Sequence, residues 1–336
     1  MTKEKRMKKI VVDMMGSDLG SAITVEAVNE FHKKHPDYEL ICVGKKEELS
    51  SLDFARIIDA RDVVPMTAGA LDVLRRKDSS MVVALKTAAE ENADGVVSAG
   101  ATGGFLSAAT LILKKIPGVL RPALITAFPN LANNGETFVT ILDVGASNEN
   151  TPEEMAQFGY MGATFSESVY GIKNPVVKTL ANGIEEGKGS PEGKAAYKLL
   201  LEDKRINFQG NIEASQVLMG AADVVVTDGY SGNVLLKSTE GTAKGIGKLL
   251  KAGFKKNLGT KLGYLLSKSV IGNMKRLMDP KKVGGAMLIG INGVAVKAHG
   301  NSNAEAFLSA MEVECRMIEA QIVQKISSSF EKEETK

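Results

Sequence analysis

Short apolar runs that end in a glycine-rich loop recur along this chain, and segments with helical periodicity separate them. Residues 8–13 (KKIVVD), 94–100 (DGVVSAG) and 137–147 (TFVTILDVGAS) show the pattern. Strands that are buried on both faces of a sheet form continuous apolar runs, and the helices between them allow the strands to pair in parallel. The sequence therefore predicts an α/β fold with a mostly parallel sheet and flanking helices.

The length of the chain limits its domain organisation. The 336 residues suffice for one large domain or for two lobes. No repeat of fixed period and no Pro/Ser-rich linker divides the chain, so we expect a single α/β domain of two lobes over residues 1–326. Residues 327–336 (SSSFEKEETK) are low in complexity, and we expect them to fray.

Several classes of protein are disfavoured by composition. A formal net charge of +2 argues against a nucleic-acid-binding surface. Cys42 and Cys315 are too few for a disulfide framework or a cysteine metal site, and we expect no metal and no cofactor. The basic N-terminal segment has a short apolar run broken by Asp13, which does not fit a signal peptide, and no apolar run is long enough to span a membrane. We therefore expect a cytoplasmic protein.

Four loops that follow apolar runs combine glycine with small hydroxyl or amide residues. Glycine allows successive backbone amides to point into one concavity, and the N-terminus of a following helix adds partial positive charge. Ligands of parallel sheets bind at the carboxyl ends of the strands. One such loop would be an ordinary turn, but four predict a shared pocket for phosphate. Its candidate binding residues are Asp13, Gly16, Ser17, Ser98, Gly100, Thr102, Gly103, Asp143 and Gly232.

Four further residues are candidates for catalysis. Lys188 lies in a glycine-rich turn, where its charge could neutralise phosphate or a thioester oxyanion, although solvated loops have similar composition. His299 follows another apolar run and could be a proton donor or a structural histidine. Asn233 and Asp228 belong to the fourth loop. No Gly-x-Ser-x-Gly elbow or P-loop is present, so we expect bound phosphate to attack directly.

Positive charge is concentrated in residues 244–282. Eleven Lys and Arg residues and a single Asp give this stretch a net charge of +10. Apolar residues recur in it at steps of three and four, which predicts an amphipathic helical hairpin. Such a hairpin could rest on anionic lipid, dock an acidic carrier protein, or pack on the core with its other face solvated. The candidate contact residues are Phe254, Leu258, Leu262, Leu265, Met274, Lys255 and Lys261.

Several motifs in the same order resemble the PlsX-type phosphate acyltransferase family. The resemblance implies a fold like that of isocitrate and isopropylmalate dehydrogenases, a homodimer without metal, and a basic helical tip that touches the membrane peripherally. It also implies transfer of a fatty acyl group from acyl carrier protein to inorganic phosphate, giving acyl phosphate for phospholipid synthesis. The motifs are 12–18 (VDMMGSD), 74–81 (LRRKDSSM), 98–103 (SAGATG), 121–123 (RPA), 142–146 (LDVGA), 206–211 (INFQGN), 222–233 (ADVVVTDGYSGN), 284–286 (GGA) and 298–300 (AHG).

Two positions depart from the family pattern by the loss of an amide side chain. Ala101 and Ser147 stand where the family has asparagine. Because hydrogen-bonding groups of a site help to set substrate choice, two alternatives stay open beside the acyl carrier protein reaction. One is a short-chain phosphate acyltransferase that uses acyl-CoA, and the other is a non-enzymatic membrane-binding paralogue.

Overall fold

The structure, a computed structural model, describes residues 6–68, 70–277 and 285–334. The chain folds as two compact units. Unit 1 contains Met1–Ile125, Glu167–Gly171 and Gly284–Lys336, and unit 2 contains Thr126–Ser166 and Ile172–Val283. Residues 278–282 of the basic stretch, Gly284 of the 284–286 motif and residues 335–336 lie outside the described residues.

Unit 1 is built on a mostly parallel sheet. Its strands are β1 (Lys8–Asp13), β2 (Tyr38–Gly44), β3 (Arg56–Asp59), β4 (Gly95–Ser98), β10 (Ala286–Ile289), β11 (Val294–Lys297) and the first three residues of β5 (Ala123–Pro129). Their order is β3-β2-β1-β4-β11-β10-β5. β10 is antiparallel to β11 and β5, whereas the other pairs are parallel.

Helices cover the apolar strands of unit 1. They are α1 (Ser21–Lys34), α2 (Ala70–Arg75), α3 (Ser80–Glu90), α4 (Thr102–Leu113), α11 (Ala304–Glu319) and α12 (Ile322–Glu334). α3 packs against β1 and β2, and α11 packs against β4 and β11. Ile10, Val11 and Val12 of β1 are completely buried as a result, as expected for a continuous apolar run in a covered sheet.

The C-terminal segment differs from the frayed tail that we expected. α12 continues to Glu334, and Phe330 is buried. A Cβ atom on Gly118 would lie 2.9 Å from Phe330 Cβ, so this glycine leaves room for the helix to approach. Phe330 continues the buried face that Ile322 and Ile326 begin on the same helix.

Unit 2 has its own sheet. Its strands are the last four residues of β5, β6 (Phe138–Leu142), β7 (Val176–Ala181), β8 (Asn207–Glu213) and β9 (Val224–Val226), in the order β5-β6-β9-β7-β8. β5 and β6 are antiparallel and the remaining pairs are parallel. The predicted α/β class with mostly parallel pairing is confirmed, although the antiparallel strands were not anticipated.

The helices of unit 2 include the basic stretch. They are α5 (Pro152–Tyr170), whose last residues belong to unit 1, α6 (Pro191–Glu202), α7 (Ala214–Val217), α8 (Gly229–Lys255), α9 (Leu258–Leu266) and α10 (Lys268–Leu277), with a 3-10 turn at Leu131–Asn133. We expected a hairpin at about 244–282. The described part consists of the C-terminal half of the 27-residue helix α8, followed by α9 and α10.

Candidate active site

The carboxyl ends of three neighbouring parallel strands in unit 1 bring three polar side chains into line. Ser98 of β4 is in register with Asp13 of β1 on one side and with Lys297 of β11 on the other. Asp13 and Ser98 are fully buried, and Lys297 is 5% exposed. We call Asp13, Ser98 and Lys297, with Gly16 and Gly100, the Asp13 cluster.

Hydrogen bonds hold the Asp13 carboxyl group in place. Ser98 Oγ donates to Asp13 Oδ2 at 2.6 Å, and the Met15 backbone N–H donates to Asp13 Oδ1 at 3.2 Å. Gly100 N–H donates in turn to Ser98 Oγ at 3.0 Å. Burial raises the pKa of Asp13 above its ordinary value, while the hydrogen bond from Ser98 acts in the opposite direction. The Asp13 carboxyl group therefore holds the loop after β1 through Met15 and the end of β4 through Ser98.

Gly16 is required by the close approach of two of the predicted loops. A Cβ atom at this position would lie 2.5 Å from the Gly100 backbone nitrogen and 3.0 Å from Asp13 Oδ2. Because the first of these neighbours is backbone, a side chain could be accommodated only by moving the loop. The structure therefore brings Gly16 together with Ser98, Gly100 and Asp13, as the sequence predicts.

The N-terminus of α4 lies directly after Gly100. Its N-cap is Ala101, which makes no side-chain capping hydrogen bond, and Thr102 and Gly103 in its first turn are exposed. The first N–H groups of a helix have no intrahelical acceptor and favour anions. Alanine has no side-chain hydrogen-bonding group, so position 101 cannot cap this helix start.

Ser17 and His299 lie near the same strand ends. Ser17 Oγ donates to the Gly300 carbonyl at 3.3 Å, and the Asp18 N–H donates to the same oxygen at 2.8 Å. His299 is partly exposed and stands two residues beyond Lys297. The loop after β1 is therefore attached to the loop after β11, which contains His299.

Lys297 is the residue of this cluster that sequence analysis missed. It ends the apolar strand β11, and its Nζ donates to the carbonyl oxygen of Ala298. Its positive charge acts on Asp13, where it lowers the carboxyl pKa against the larger effect of burial. The signal was a single charged residue at the end of the run VAVK, but nothing in the sequence indicates that this lysine is buried.

A second cluster lies at the strand ends of unit 2. Asp143 follows β6 and is fully buried. Its Oδ1 accepts from Gly145 N–H at 3.0 Å and Ala146 N–H at 2.9 Å, and its Oδ2 accepts from Ser147 N–H at 2.9 Å. The carboxylate thus organises the loop 143–147. We call Asp143, Gly145, Gly229, Gly232 and Asn233 the Asp143 cluster.

The first turn of α8 packs against that loop. A Cβ atom on Gly232 would overlap the Asp143 carbonyl oxygen, and one on Gly229 would overlap the Ser147 carbonyl oxygen. The Asn233 side chain lies against Gly145, where a Cβ atom would be 3.5 Å from Asn233 Cγ. Both helix glycines are therefore needed for the approach of α8 to the loop.

Asp228 and Asn150 accept hydrogen bonds from backbone N–H groups at the start of α8. Asp228 is its N-cap and accepts from Ser231 N–H at 2.8 Å, and the buried Asn150 accepts from Gly229 N–H at 3.0 Å. A capping role explains why aspartate is present at position 228. Asn150 was not a candidate, because its sequence neighbours carry no glycine pattern.

Lys188 lies in the turn after β7, and its side chain is exposed. Its N–H donates to the Glu185 carbonyl at 3.0 Å, and a Cβ atom on Gly183 would be 2.8 Å from Lys188 Cγ. These contacts are within the turn itself. The role of Lys188 therefore stays a prediction, while the Asp13 and Asp143 clusters are each assembled in the structure.

Cys42 and Cys315 are free, buried thiols. Burial raises the pKa of Cys42 to about 12 and that of Cys315 to about 11. Both thiols are thus poor nucleophiles near neutral pH. Within the described residues, no group of three or more His, Cys, Asp or Glu side chains is placed to bind a metal ion.

The basic helices expose their apolar residues. Leu258, Leu262 and Leu265 of α9 are 82%, 58% and 64% exposed, and α9 has no buried residue. Phe254 and Met274 are partly buried and line a small cavity together with Lys255 and Lys261. This exposure contradicts the alternative in which α9 packs on the core. Among the described residues, no helix is both long and apolar enough to cross a bilayer.

Comparison with known sequences gives matches over nearly the whole chain. A family model described as "Fatty acid synthesis protein" matches residues 8–325. A phosphate acyltransferase from Staphylococcus haemolyticus is 42% identical over 313 residues, covering 91% of this chain and 93% of the relative. One from Thermosipho melanesiensis is 38% identical over 327 residues, covering 96% and 97%.

Solved structures of similar fold include a phosphotransacetylase and a branched-chain phosphotransacylase. A phosphotransacetylase from Streptococcus pyogenes has a TM-score of 0.57 at 17% identity and covers 94% of both chains. A branched-chain phosphotransacylase from Enterococcus faecalis has a TM-score of 0.57 at 12% identity, covering 93% of this chain and 100% of its own. At these identities the similarity establishes the fold alone.

Proposed function

This chain belongs to the fatty acid synthesis protein family of PlsX-type phosphate acyltransferases, and we propose that it transfers a fatty acyl group from acyl carrier protein to inorganic phosphate. Membership of the family makes the chain an acyltransferase. The carrier-bound donor, the acyl phosphate product and a role in phospholipid synthesis are parts of the proposal.

The Asp13 cluster is the observation that carries this proposal. It combines a buried lysine, loops that approach through Gly16 and Gly100, and the uncapped N-terminus of α4. Backbone N–H groups at a helix start and a nearby positive charge bind phosphate oxygens well. We assign phosphate binding to this cluster, with Ser17, Thr102 and Gly103 as further contacts.

The proposed chemistry needs no covalent enzyme intermediate. An oxygen of hydrogen phosphate attacks the thioester carbonyl carbon and forms the new C–O bond. The C–S bond breaks with its electron pair on sulfur, and the carrier thiol takes the proton that phosphate loses. Donors near the carbonyl would stabilise the developing oxyanion. Lys188, His299 and Asn233 are the candidates for this role and for charge neutralisation, and Asp228 positions the first turn of α8.

The basic helices support contact with an anionic partner. Exposed leucines beside Lys255 and Lys261 suit the interface of an anionic membrane, where apolar side chains enter the lipid and lysines meet the headgroups. We propose peripheral membrane association through α9, with an acidic carrier protein drawn to the same positive field. A homodimer, as the resemblance implies, is part of the same proposal.

A phosphate-dependence assay tests the reaction. Purified full-length protein is incubated with palmitoyl carrier protein with and without phosphate, and acyl phosphate is trapped with hydroxylamine. We expect thioester loss to require phosphate and to fall strongly in Gly16→Ala. Gly241→Ala is the matched control, because a Cβ atom at Gly241 has no neighbour within 4 Å. Absence of phosphate-dependent thioester loss with palmitoyl carrier protein or acyl-CoA would refute the proposal.

A further inference from the structure

An apolar cavity of about 540 Å³ opens beside α8 in unit 2. This volume lies within the usual range of small-molecule sites, about 300–1,000 Å³. Its walls come from β5, the turn at Leu131–Asn133, α7, α8 and α10, and are mainly apolar. The apolar walls include Phe128, Pro129, Leu131, Leu218, Ile246 and Leu277.

The cavity lies along the same helix that begins at the Asp143 cluster. Residues 238–246 of α8 contribute to its wall, whereas Asn233 lies in the first turns of the helix. At 1.5 Å per residue, the wall extends from about 7 Å to about 20 Å along the helix from Asn233. One lipid acyl chain spans about 15 Å, half of a hydrocarbon core about 30 Å thick. A fatty acyl chain whose thioester lies at the start of α8 would therefore extend into this cavity.

At one side of the cavity, a buried glutamate forms ion pairs with two lysines of the same helix. Glu240 is 7% exposed, and its Oε2 lies 3.7 Å from Lys237 Nζ and 3.8 Å from Lys244 Nζ. The two lysines are on the solvent side of the helix, with most of their side chains exposed. Lys244 is the first lysine of the basic stretch, and Lys237 lies about two turns before it on α8. An acidic carrier that delivers an acyl chain would thus meet positive charge beside an apolar cavity.

We propose that this cavity binds the hydrocarbon chain of the acyl donor and sets the preferred chain length. The thioester end lies toward Asn233, and the methyl end lies toward Ile246 and Leu277. This inference rests on the proposed acyltransferase function. Each methylene of the chain that the apolar walls remove from water stabilises the bound donor. The residues that select chain length would therefore lie outside the glycine loops.

A variant that fills the cavity tests this assignment. Ala243 lines the cavity from α8, so Ala243→Phe should shorten the space for the chain. With palmitoyl carrier protein as substrate we expect kcat/KM to fall about tenfold or more, while octanoyl carrier protein retains most of its rate. Leu249→Phe is the control, since Leu249 is on the same helix and is 75% exposed.

The outcomes separate this inference from the proposed function. If the unmodified protein has no phosphate-dependent activity, the proposed function fails first. If it is active and Ala243→Phe slows both chain lengths equally, or neither, the cavity does not hold the chain. Light scattering on both proteins adds a third outcome. Loss of an oligomer in Ala243→Phe would mean that a second copy of the chain covers the cavity, which would overturn the assignment.

Discussion

Gly95, the first residue of β4, lies directly against the carboxyl group of Glu314 in α11. A Cβ atom on Gly95 would lie 2.9 Å from Glu314 Cδ, so only glycine leaves room for this carboxyl. Glu314 is fully buried, and among the described residues neither of its oxygens has a hydrogen-bond partner. Burial raises its pKa well above the ordinary value. Burial therefore favours the uncharged form of Glu314 in the core of unit 1.

The state of Glu314 makes stability depend on pH. The unfolded chain loses this proton above the ordinary glutamate pKa of about 4.3, whereas the folded chain keeps it to higher pH. Stability is therefore lost as pH rises, by at most about 1.4 kcal/mol per pH unit, up to the folded pKa. Glu314→Gln does not titrate, so its urea midpoint should fall less between pH 5 and pH 8 than that of the unmodified protein. Parallel pH profiles for the two proteins would contradict a raised pKa.

Lys297 should contribute mainly to the binding of phosphate. A hydrogen bond to a charged group contributes about 1.5–3 kcal/mol, so loss of the ammonium group in Lys297→Met should raise the KM for phosphate by about tenfold or more. The KM for the acyl donor should change less. Lys86→Met on α3 is the control, and circular dichroism checks folding. An unchanged phosphate KM would exclude Lys297 from phosphate binding.

Gly232 should tolerate no side chain. In Gly232→Ala the new methyl group overlaps the Asp143 carbonyl oxygen, which forces α8 away from its loop. Displacements of about 1 Å in a site typically lower activity about a hundredfold, and we expect a loss of this order in kcat/KM. Gly245→Ala, on the same helix with no neighbour within 4 Å of the new Cβ, should keep full activity. Similar activity of the two variants would show that the Asp143 cluster has no part in catalysis.

The exposed leucines of α9 should determine binding to lipid vesicles. A fully buried leucine contributes about 1.5–3 kcal/mol, so Leu262→Gln combined with Leu265→Gln should weaken binding to anionic vesicles at least about tenfold. Binding should also fall in high salt, because lysine–headgroup attraction is screened. Cosedimentation measures both effects. Leu201→Gln on α6, 54% exposed in the unmodified protein, serves as the control, and equal binding by all variants would rule out α9 as the contact.

Much of the fold was predictable, because its signals are local. The runs around Ile10, Val97 and Val225 are strands, and each continues into the glycine loop that we expected. The antiparallel strands β5 and β10 were missed, since an apolar run does not specify the direction of its partner. The packed tail was missed because its polar composition hides that Phe330 lies four residues after Ile326, on the same buried face of α12.

The sequence by itself determined the α/β class, the alternation of strands with helices, the glycine loops and the family. These features depend on hydrophobic periodicity and on short motifs, which are local properties of the sequence. The tertiary structure decided that Asp13 and Lys297 flank Ser98, that the Glu314 carboxyl group is buried against Gly95, and that α8 runs from a loop cluster to an apolar cavity. Each of these brings together residues distant in the sequence, and the environment of a side chain, which sets its charge and its contacts, depends on such packing.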